Sequence, residues 1–349
     1  MRLGKKVLFS TICALFAASL AGFILLGFHA QLRSLILVIT ITAAVCAFIY
    51  FALTTILNDK ETKFKVIATA IVSVVSIIAM LSSVIVGLAP ILIFPCNHNE
   101  EAYDELMSLS EEEGSRISQV KAGEYSGWRI SASEIPVDKP RPVVLMFYGN
   151  GMNASKTALM VYEDKNDIYK GFTEVTDMVI IDYPGYGVND GVPGSDTLKE
   201  MALTSYDEAA SWATTSEVIS FGYSIGTGPA TYLASQREVG GLILWAPYAN
   251  TYDLYNNYID IFHGPFKLMV TYKMDNYKYI KSVTCPILIL ATDTDEEVPY
   301  QSSRDLFTNS GSTLSDFVTI RGITHNDFWT NDKSLDNTFE FIRLIWEVS

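Results

Sequence analysis

Three long segments without Asp, Glu, Lys or Arg occupy the first part of the chain. They run from Val7 to Ala30, from Ser34 to Leu57 and from Val66 to Phe94. Each reaches the ~20 residues that a helix needs to cross the hydrocarbon core of a bilayer. None has the polar face of a helix that lies on a protein surface. The pattern predicts three transmembrane helices within a membrane anchor over residues 1–95.

Basic residues beside these segments predict their orientation. The N-terminus and the second connection each hold three of them, namely Arg2, Lys5 and Lys6, and Lys60, Lys63 and Lys65. The first connection holds only Arg33. Basic loops favour the cytoplasmic side, so three crossings would place the chain after Pro95 outside the cytoplasm. A cleaved signal peptide over Met1–Leu26 is the alternative, but the apolar run is long for one and two more segments follow, so we expect a multi-pass cell-membrane protein.

A different pattern follows an acidic stretch that we expect to be a linker over residues 96–124. Six short apolar runs are bounded by Gly or Pro: Val143–Tyr148, Met178–Asp182, Val218–Gly222, Leu242–Ala246, Pro286–Ala291 and Phe317–Ile320. Such runs are typical of strands buried on both faces. Segments of helical length, such as Thr197–Thr214 and Gly226–Gln236, separate several of them. The alternation predicts an α/β domain over residues 125–349, with a mostly parallel sheet and helices on both faces.

Charge separates the two parts of the chain and excludes several classes of protein. The 349 residues carry a net charge of −14, and 49% of them are hydrophobic, which excludes a disordered chain. Residues 1–95 hold seven basic and two acidic residues, which leaves a net charge of −19 for residues 96–349. An acidic domain lacks the basic surface that neutralises phosphates, so we expect no nucleic-acid partner.

The cysteines and histidines do not have metal-site spacing. The chain has four of each, with no CxxC motif and with the histidines scattered. We therefore expect neither a metal nor a cofactor. A Cys96–Cys285 disulfide is possible if the domain lies outside the cell.

The third apolar run of the domain leads into a motif for nucleophilic catalysis. Gly222-Tyr223-Ser224-Ile225-Gly226 has the form G-x-S-x-G and lies between a predicted strand and a predicted helix. In this context the motif is typical of a nucleophile elbow, a sharp turn that exposes the serine hydroxyl above the sheet. Ser224 is the candidate nucleophile.

A serine hydroxyl needs an adjacent base, and in this chain order the acid and then the histidine follow the serine. His29, His98 and His263 all precede the predicted acid strand, which leaves His325 as the candidate base. The acid is expected after the fifth run, where four carboxylates stand: Asp293, Asp295, Glu296 and Glu297. Spacing alone does not choose among them.

The same chemistry needs two backbone N–H groups to stabilise an oxyanion. One belongs to the residue after the nucleophile, Ile225, and the other to the loop after an early strand. That loop is Tyr148–Met152, and Asn150 is its best candidate.

From about Tyr125 to its end, the chain resembles the α/β-hydrolase family, most of all its membrane-anchored members related to monoacylglycerol lipases and protein depalmitoylases. The resemblance covers about two-thirds of the chain, in Phe147–Gly151, Asp182–Gly187, Gly222–Gly226, Pro286–Pro299 and Gly322–Asp327. The family's G-x-x-D-x-x-V-P pattern implies that the acid is Asp295. Three positions depart from the family: Tyr148 replaces the usual His, Pro184 an Arg and Thr292 a Gly.

These observations favour a membrane-anchored serine hydrolase that cleaves a carboxylic ester or thioester through an acyl-enzyme. Its expected partners are a small acyl substrate, a lipid or an acylated protein. A serine peptidase or amidase of the same fold, and a non-catalytic hydrolase-like binding domain, are the alternatives. Dinucleotide binding at Gly149–Ala154 formally fits G-x-G-x-x-A, but it would not explain Ser224, Asp295 and His325 in this order. The tyrosine-rich segment Pro247–Thr284 is interpreted as packing rather than as an acyl-binding lid.

Overall fold

A computed structural model describes residues 93–96, 98, 100–134, 141–164, 166–213, 217–258, 260–270 and 272–348. The three predicted transmembrane segments lie outside these residues, apart from Ile93 and Phe94. Within the described ranges, no helix is both long enough and apolar enough to span a membrane. The anchor over residues 1–95 therefore stays a prediction.

The chain divides into two compact units. The first comprises Met1–Ile93 and Phe266–Thr271, and its described residues are Ile93 and residues 266–270. Residues 266–269 belong to a 3-10 helix, Gly264–Met269. The second unit comprises Phe94–Pro265 and Tyr272–Ser349, and it contains the sheet and every candidate site residue.

Strands and helices alternate along the second unit. Its strands are β1 (Ile117–Ala122), β2 (Tyr125–Ile130), β3 (Val143–Phe147), β4 (Asp177–Ile181), β5 (Val218–Tyr223), β6 (Gly241–Trp245), β7 (Ile287–Thr292) and β8 (Ser315–Ile320). Its helices are α1 (Glu100–Ser110), α2 (Ala154–Tyr162), α3 (Lys170–Thr173), α4 (Ser195–Ala209), α5 (Thr227–Gln236), α6 (Thr251–Tyr258), α7 (Asn276–Tyr279), α8 (Tyr300–Thr308) and α9 (Asp332–Val348).

The described strands form one sheet in the order β1-β2-β4-β3-β5-β6-β7-β8. Strands β3 to β8 pair in parallel, whereas β1–β2 and β2–β4 pair antiparallel. Every residue of β3 to β7 is buried. Because successive side chains of a strand point to opposite faces, both faces of these strands are covered. The predicted α/β fold with a mostly parallel sheet is thus confirmed.

One helix and one strand lie where the sequence-based expectation was a linker. Helix α1 and strand β1 occupy residues predicted to be an acidic linker, and β1 pairs with β2 at the edge of the sheet. In β1, polar and exposed residues interrupt the buried ones, so the strand has no continuous apolar run. An antiparallel edge strand of this kind needs only one covered face. The folded domain therefore begins before Tyr125.

Aromatic side chains fill the core next to strand β5. Phe221 on β5 packs edge-to-face against Trp245 on β6, with ring centroids 4.9 Å apart. Trp245 in turn packs edge-to-face against Trp329 at 5.0 Å. Trp329 ends the 3-10 helix His325–Trp329. Buried aromatic pairs of this geometry contribute ~0.5–1.5 kcal/mol each beyond their burial. The cluster therefore fixes the segment that begins with His325 against the central strands.

We expect Asp177→Ala to lower the free energy of unfolding by ~3–5 kcal/mol. The fully buried carboxylate of Asp177 accepts hydrogen bonds from Arg129 Nε at 2.7 Å and Ala132 N at 2.9 Å, and it pairs with Arg141 Nε at 3.1 Å. Arg141 is itself only 4% exposed, so the substitution leaves a buried guanidinium without its counter-charge.

Urea denaturation of the full chain measures this effect through the midpoint at constant slope. The matched control is Asp207→Ala, which removes the exposed pair with Arg237 and should change stability by less than ~1 kcal/mol. Equal denaturation midpoints for both variants would show that the buried ion pair stabilises the fold no more than the exposed one does.

Candidate active site

Ser224 lies at the carboxyl end of β5, in a backbone conformation that side chains rarely adopt. Its φ is +53°, and a 3-10 helix, Ser224–Gly226, leads directly into α5. The two flanking glycines make this turn possible. A Cβ on Gly226 would lie 2.1 Å from Phe147 O, and one on Gly222 would lie 2.6 Å from Gly226 O. No side chain fits at Gly226, because the turn brings its backbone against the end of strand β3, and none fits at Gly222, because the chain folds back over it.

The structure brings Ser224, His325 and Asp295 into one hydrogen-bonded chain. Ser224 Oγ is 2.8 Å from His325 Nε2, and His325 Nδ1 is 2.8 Å from Asp295 Oδ2 and 3.0 Å from its Oδ1. All three side chains are almost completely buried. They come from loops after β5, β7 and β8, although 101 residues separate Ser224 from His325.

The acid loop orients Asp295 rather than its acidic neighbours toward the imidazole. Asp295 Oδ1 accepts hydrogen bonds from Glu297 N at 2.9 Å and Val298 N at 2.8 Å, which fixes its carboxylate. Asp293 instead accepts a 3.3 Å bond from Gly322 N. Glu296 is exposed. Glu297 Oε2 lies 3.8 Å from His325 Nε2, a contact that sequence reasoning missed.

Two threonines tie the acid loop to the histidine loop. The hydroxyls of Thr292 and Thr294 both donate to Ile323 O, at 2.9 and 2.6 Å. Thr292 is one of the positions where the chain departs from the family pattern. Its hydroxyl supplies a bond that glycine would lack, two residues before His325, and so stabilises the relative position of the two loops.

Tyr223 packs against His325 and bonds to its backbone, a role that sequence reasoning also missed. Its ring stacks on the imidazole with centroids 5.3 Å apart and planes at 28°. Its hydroxyl donates a 2.9 Å hydrogen bond to His325 O. Burial, reinforced by the nearby Glu297 and Asp295 carboxylates, raises the pKa of Tyr223 well above its usual range, so the phenol stays a donor.

The oxyanion-loop candidates lie close to Ser224. Gly149–Met152 form a turn in which Met152 N donates to Gly149 O at 3.3 Å and Gly151 has φ +78°. A Cβ on Gly149 would lie 3.5 Å from Ser224 Cβ, so the loop that contains Asn150 passes beside the serine. Ile225 belongs to the first turn of the 3-10 helix after Ser224. The first N–H groups of a helix lack carbonyl partners within it.

Tyr148, which replaces the family's usual histidine, anchors this loop from a fully buried position. Its hydroxyl donates to Asp182 Oδ1 at 3.2 Å and accepts from Tyr183 N at 2.8 Å. Tyr183 OH donates back to Tyr148 O at 2.6 Å, and the two rings stack 4.1 Å apart. The same Asp182 oxygen also accepts from Ala154 N at 2.7 Å. The Tyr148–Asp182–Tyr183 network thus holds both ends of the Gly149–Met152 turn.

This network predicts an unusual pH dependence of stability. Burial raises the pKa of Asp182 from 3.8 to about 6, although hydrogen bonds from Ala154 N and Tyr148 favour its charged form. The folded protein therefore holds this proton more tightly than the unfolded chain does. The contribution of Asp182 to stability is fully present below pH ~4 and is lost as the pH rises through 6, a loss of about 3 kcal/mol.

Asp182→Asn removes this titration and keeps an oxygen that accepts from Ala154 N. Relative to wild type, we expect the variant to gain about 3 kcal/mol of unfolding free energy between pH 4 and pH 7. Denaturation of both proteins at several pH values measures the difference. Parallel stability profiles would mean that Asp182 titrates alike in the folded and unfolded states.

Several tyrosines of the Pro247–Thr284 segment pack inside the domain. Tyr248, Tyr255 and Tyr272 are buried, and the hydroxyls of Tyr248 and Tyr272 lie 2.9 Å apart. Tyr248 OH also donates a 3.4 Å bond to Ile225 O. Tyr248 therefore supports the turn at Ser224 from within the core, and Tyr272 is hydrogen-bonded to Tyr248.

The two cysteines of the second unit are free thiols in the structure. Cys96 and Cys285 are both partly buried and form no disulfide. Burial raises the pKa of the Cys285 thiol to about 12, so it stays protonated at neutral pH. The Cys96–Cys285 bridge considered from sequence is absent from this structure.

Comparisons with known proteins find no matching family model but several relatives. The chain is 27% identical over 231 residues to the lysophosphatidylserine lipase ABHD12 of Macaca fascicularis, with 58% of each chain covered. It is 28% identical over 155 residues to an uncharacterized protein of Mycobacterium tuberculosis, with 43% of this chain and 53% of that protein covered. The chain spans about half the length of the curated relatives it matches.

Among solved structures, Est1E of Butyrivibrio proteoclasticus with bound ferulic acid aligns at a TM-score of 0.49 and 16% identity, over 66% of this chain and 97% of that one. Three observations support the same kind of fold: the sheet order, the turn at Ser224 and the sequence similarity to ABHD12. The chain is thus similar in sequence to lipases of the α/β-hydrolase family.

Proposed function

We propose that this protein is a membrane-anchored serine hydrolase that cleaves carboxylic esters or thioesters through an acyl-enzyme. One observation above all supports the proposal: the continuous Ser224–His325–Asp295 chain, with contacts of 2.8 Å on both sides of the imidazole. A serine hydroxyl is a weak nucleophile, and a neutral imidazole within hydrogen-bond distance is the group that activates it. In the proposed mechanism Ser224 is the nucleophile, His325 the general base and acid, and Asp295 the orienting acid.

Acylation follows from this arrangement. Ser224 Oγ attacks the acyl carbonyl while its proton passes to His325 Nε2. Asp295 accepts the hydrogen bond from Nδ1–H, which keeps Nε2 unprotonated before the attack and stabilises the imidazolium after it. When the tetrahedral intermediate collapses, the Nε2 proton goes to the oxygen or sulfur of the leaving group. The acyl group stays on Ser224.

Deacylation reverses the roles. Water gives one proton to His325 Nε2 and attacks the acyl carbon, and Ser224 then takes that proton back as the carboxylic acid leaves. The oxyanion of both intermediates is assigned to the backbone N–H groups of Asn150 and Ile225. The passage of the Gly149–Met152 turn beside Ser224 supports that assignment. Each such donor typically contributes ~10²–10³ in rate.

The substrate class follows from the anchor and from the relatives. Three apolar segments would hold the domain at a membrane surface, where lipids and acylated proteins are concentrated. The name of the ABHD12 relatives denotes a lipase for a lysophospholipid. We therefore infer a lipid ester or an acylated protein as substrate, reached on the extracytoplasmic side of the cell membrane.

Labelling with a fluorophosphonate tests the activity and the orientation together. Intact cells that express wild type or Ser224→Ala are treated with a membrane-impermeant fluorophosphonate probe. We expect a labelled band in wild type only. A band that appears only after lysis would keep the hydrolase and reverse the orientation. No band under either condition, with folded protein present, would favour a non-catalytic binding domain.

A further inference from the structure

Glu297 is a carboxylate that the proposed mechanism does not use, although it lies at the reacting nitrogen. Its Oε2 is 3.8 Å from His325 Nε2, the same atom that lies 2.8 Å from Ser224 Oγ. Its side chain is 41% exposed, whereas those of His325 and Asp295 are 5% and 2% exposed. Glu297 therefore lies on the open side of the imidazole, opposite to the buried Asp295.

The backbone around Glu297 is held in place from two directions. Its N–H donates to Asp295 Oδ1 at 2.9 Å, and its carbonyl accepts from Asn257 Nδ2 at 3.2 Å. Asn257 belongs to helix α6 and also donates to Glu296 O. The backbone that carries the Glu297 side chain is thus fixed by the acid loop that also holds Asp295.

The chemistry of the triad defines which part of a substrate meets Glu297. His325 Nε2 must come within hydrogen-bond distance of the leaving-group oxygen or sulfur, because it protonates that atom. A group 3.8 Å from Nε2 therefore lies beside the leaving group. The acyl group, in contrast, is bonded through its carbonyl carbon to Ser224 Oγ.

Among the residues that the structure describes, no Lys or Arg forms an ion pair with Glu297, and His325 is its partner at less than 4.0 Å. A half-exposed negative charge next to the leaving group attracts a positive group there and repels a phosphate or carboxylate.

Resting on the proposed function, we infer that Glu297 is a specificity-determining residue that selects substrates with a cationic leaving group, such as an amino alcohol or a quaternary ammonium alcohol. Anionic leaving groups are disfavoured, so within the proposed substrate class the inference favours esters and thioesters without a phosphate in the leaving group over a lysophospholipid, the substrate named for the ABHD12 relatives. This preference is narrower than ester or thioester hydrolysis in general. The preference also distinguishes substrate selection by Glu297 from an effect of Glu297 on His325, because an effect on the imidazole would change the rates of all substrates alike.

Two thioesters of the same shape test the inference. Butyrylthiocholine carries a quaternary nitrogen, and S-(3,3-dimethylbutyl) thiobutyrate carries a carbon at the same place. The ratio of their kcat/KM values, measured by thiol release, isolates the effect of the charge. Where thiol release is too slow, the concentration of each compound that halves fluorophosphonate labelling of Ser224 measures its binding, and the ratio of the two concentrations gives the preference.

The proteins to be compared are full-length wild type, Glu297→Gln and the control Glu296→Gln, which removes the same charge from the exposed neighbour.

We expect wild type and Glu296→Gln to prefer the cationic compound by about fivefold to twentyfold, and Glu297→Gln to prefer neither by more than about twofold. The preference should weaken at 1 M salt. Equal use of both compounds by wild type, an unchanged preference in Glu297→Gln, or an equal loss for both compounds would overturn the inference, while labelling of Ser224 would leave the proposed function standing. Failure of the fluorophosphonate to label Ser224 in folded protein would defeat the proposed function and this inference with it.

Discussion

Ser224→Ala is expected to lower kcat by about a million-fold, equivalent to ~8 kcal/mol of activation free energy. Without Oγ, no acyl-enzyme forms, and His325 Nε2 loses the hydroxyl that lies 2.8 Å away. The residual rate would come from the oxyanion donors and from binding of the substrate. Kinetics on a neutral thioester such as S-(3,3-dimethylbutyl) thiobutyrate, with wild type in parallel, measure the loss.

The matched control is Ser220→Ala, four residues earlier on β5. Ser220 is buried and donates a 3.2 Å bond to Ala230 O, so its removal changes stability by ~1 kcal/mol and leaves the triad in place. Activity should be retained in this variant. A Ser224→Ala protein that turns over substrate at a rate near that of wild type would eliminate the covalent mechanism.

Asp295→Asn is expected to lower kcat by about ten-thousand-fold, or ~5.5 kcal/mol. The asparagine oxygen can keep the bonds that Asp295 Oδ1 accepts from Glu297 N and Val298 N. Its NH₂ group then faces His325 Nδ1 and donates to it. This forces the imidazole proton onto Nε2, so the nitrogen next to Ser224 can no longer accept the serine proton. Steady-state kinetics and an unchanged denaturation midpoint together show a loss of tautomer control rather than of folding.

Asp293→Asn provides the comparison within the same loop. Within the part of the chain that the structure describes, Asp293 accepts a single 3.3 Å bond from Gly322 N, which an asparagine oxygen can also accept. The variant should stay within a few-fold of wild type. If Asp293→Asn were instead the inactive variant and Asp295→Asn the active one, the acid would have to be reassigned.

The pattern of hydrophobic residues predicted the central sheet because its strands form continuous apolar runs. The six apolar runs correspond to β3 to β8 within a residue or two, as in β7, expected over Pro286–Ala291 and observed at Ile287–Thr292. Burial on both faces makes most positions of β3 to β7 apolar, whereas β8 at the other edge of the sheet is only partly buried. Strands β1 and β2 were not predicted, since polar residues that are exposed or half-buried interrupt the buried ones in both, and no continuous apolar run forms.

The candidate site was predictable in part, for chemical reasons. A chain with four histidines and one G-x-S-x-G motif leaves few choices for the base and the nucleophile. The acid was different, because four carboxylates share one loop and only family resemblance pointed to Asp295. Contacts such as Tyr148–Asp182, 34 residues apart, and Glu297–His325 depend on the folded sheet. No local pattern encodes them.

The separation of Ser224 and His325 along the chain also determines when each becomes available during synthesis. Ser224 is made 101 residues before His325. At ~5–20 residues per second, the ribosome needs roughly 5–20 s to cover that distance. During this interval the growing polypeptide carries the proposed nucleophile without its proposed base, and strand β8 is not yet available to position His325. The nascent domain would thus lack hydrolase activity until the segment that contains His325 has been synthesised.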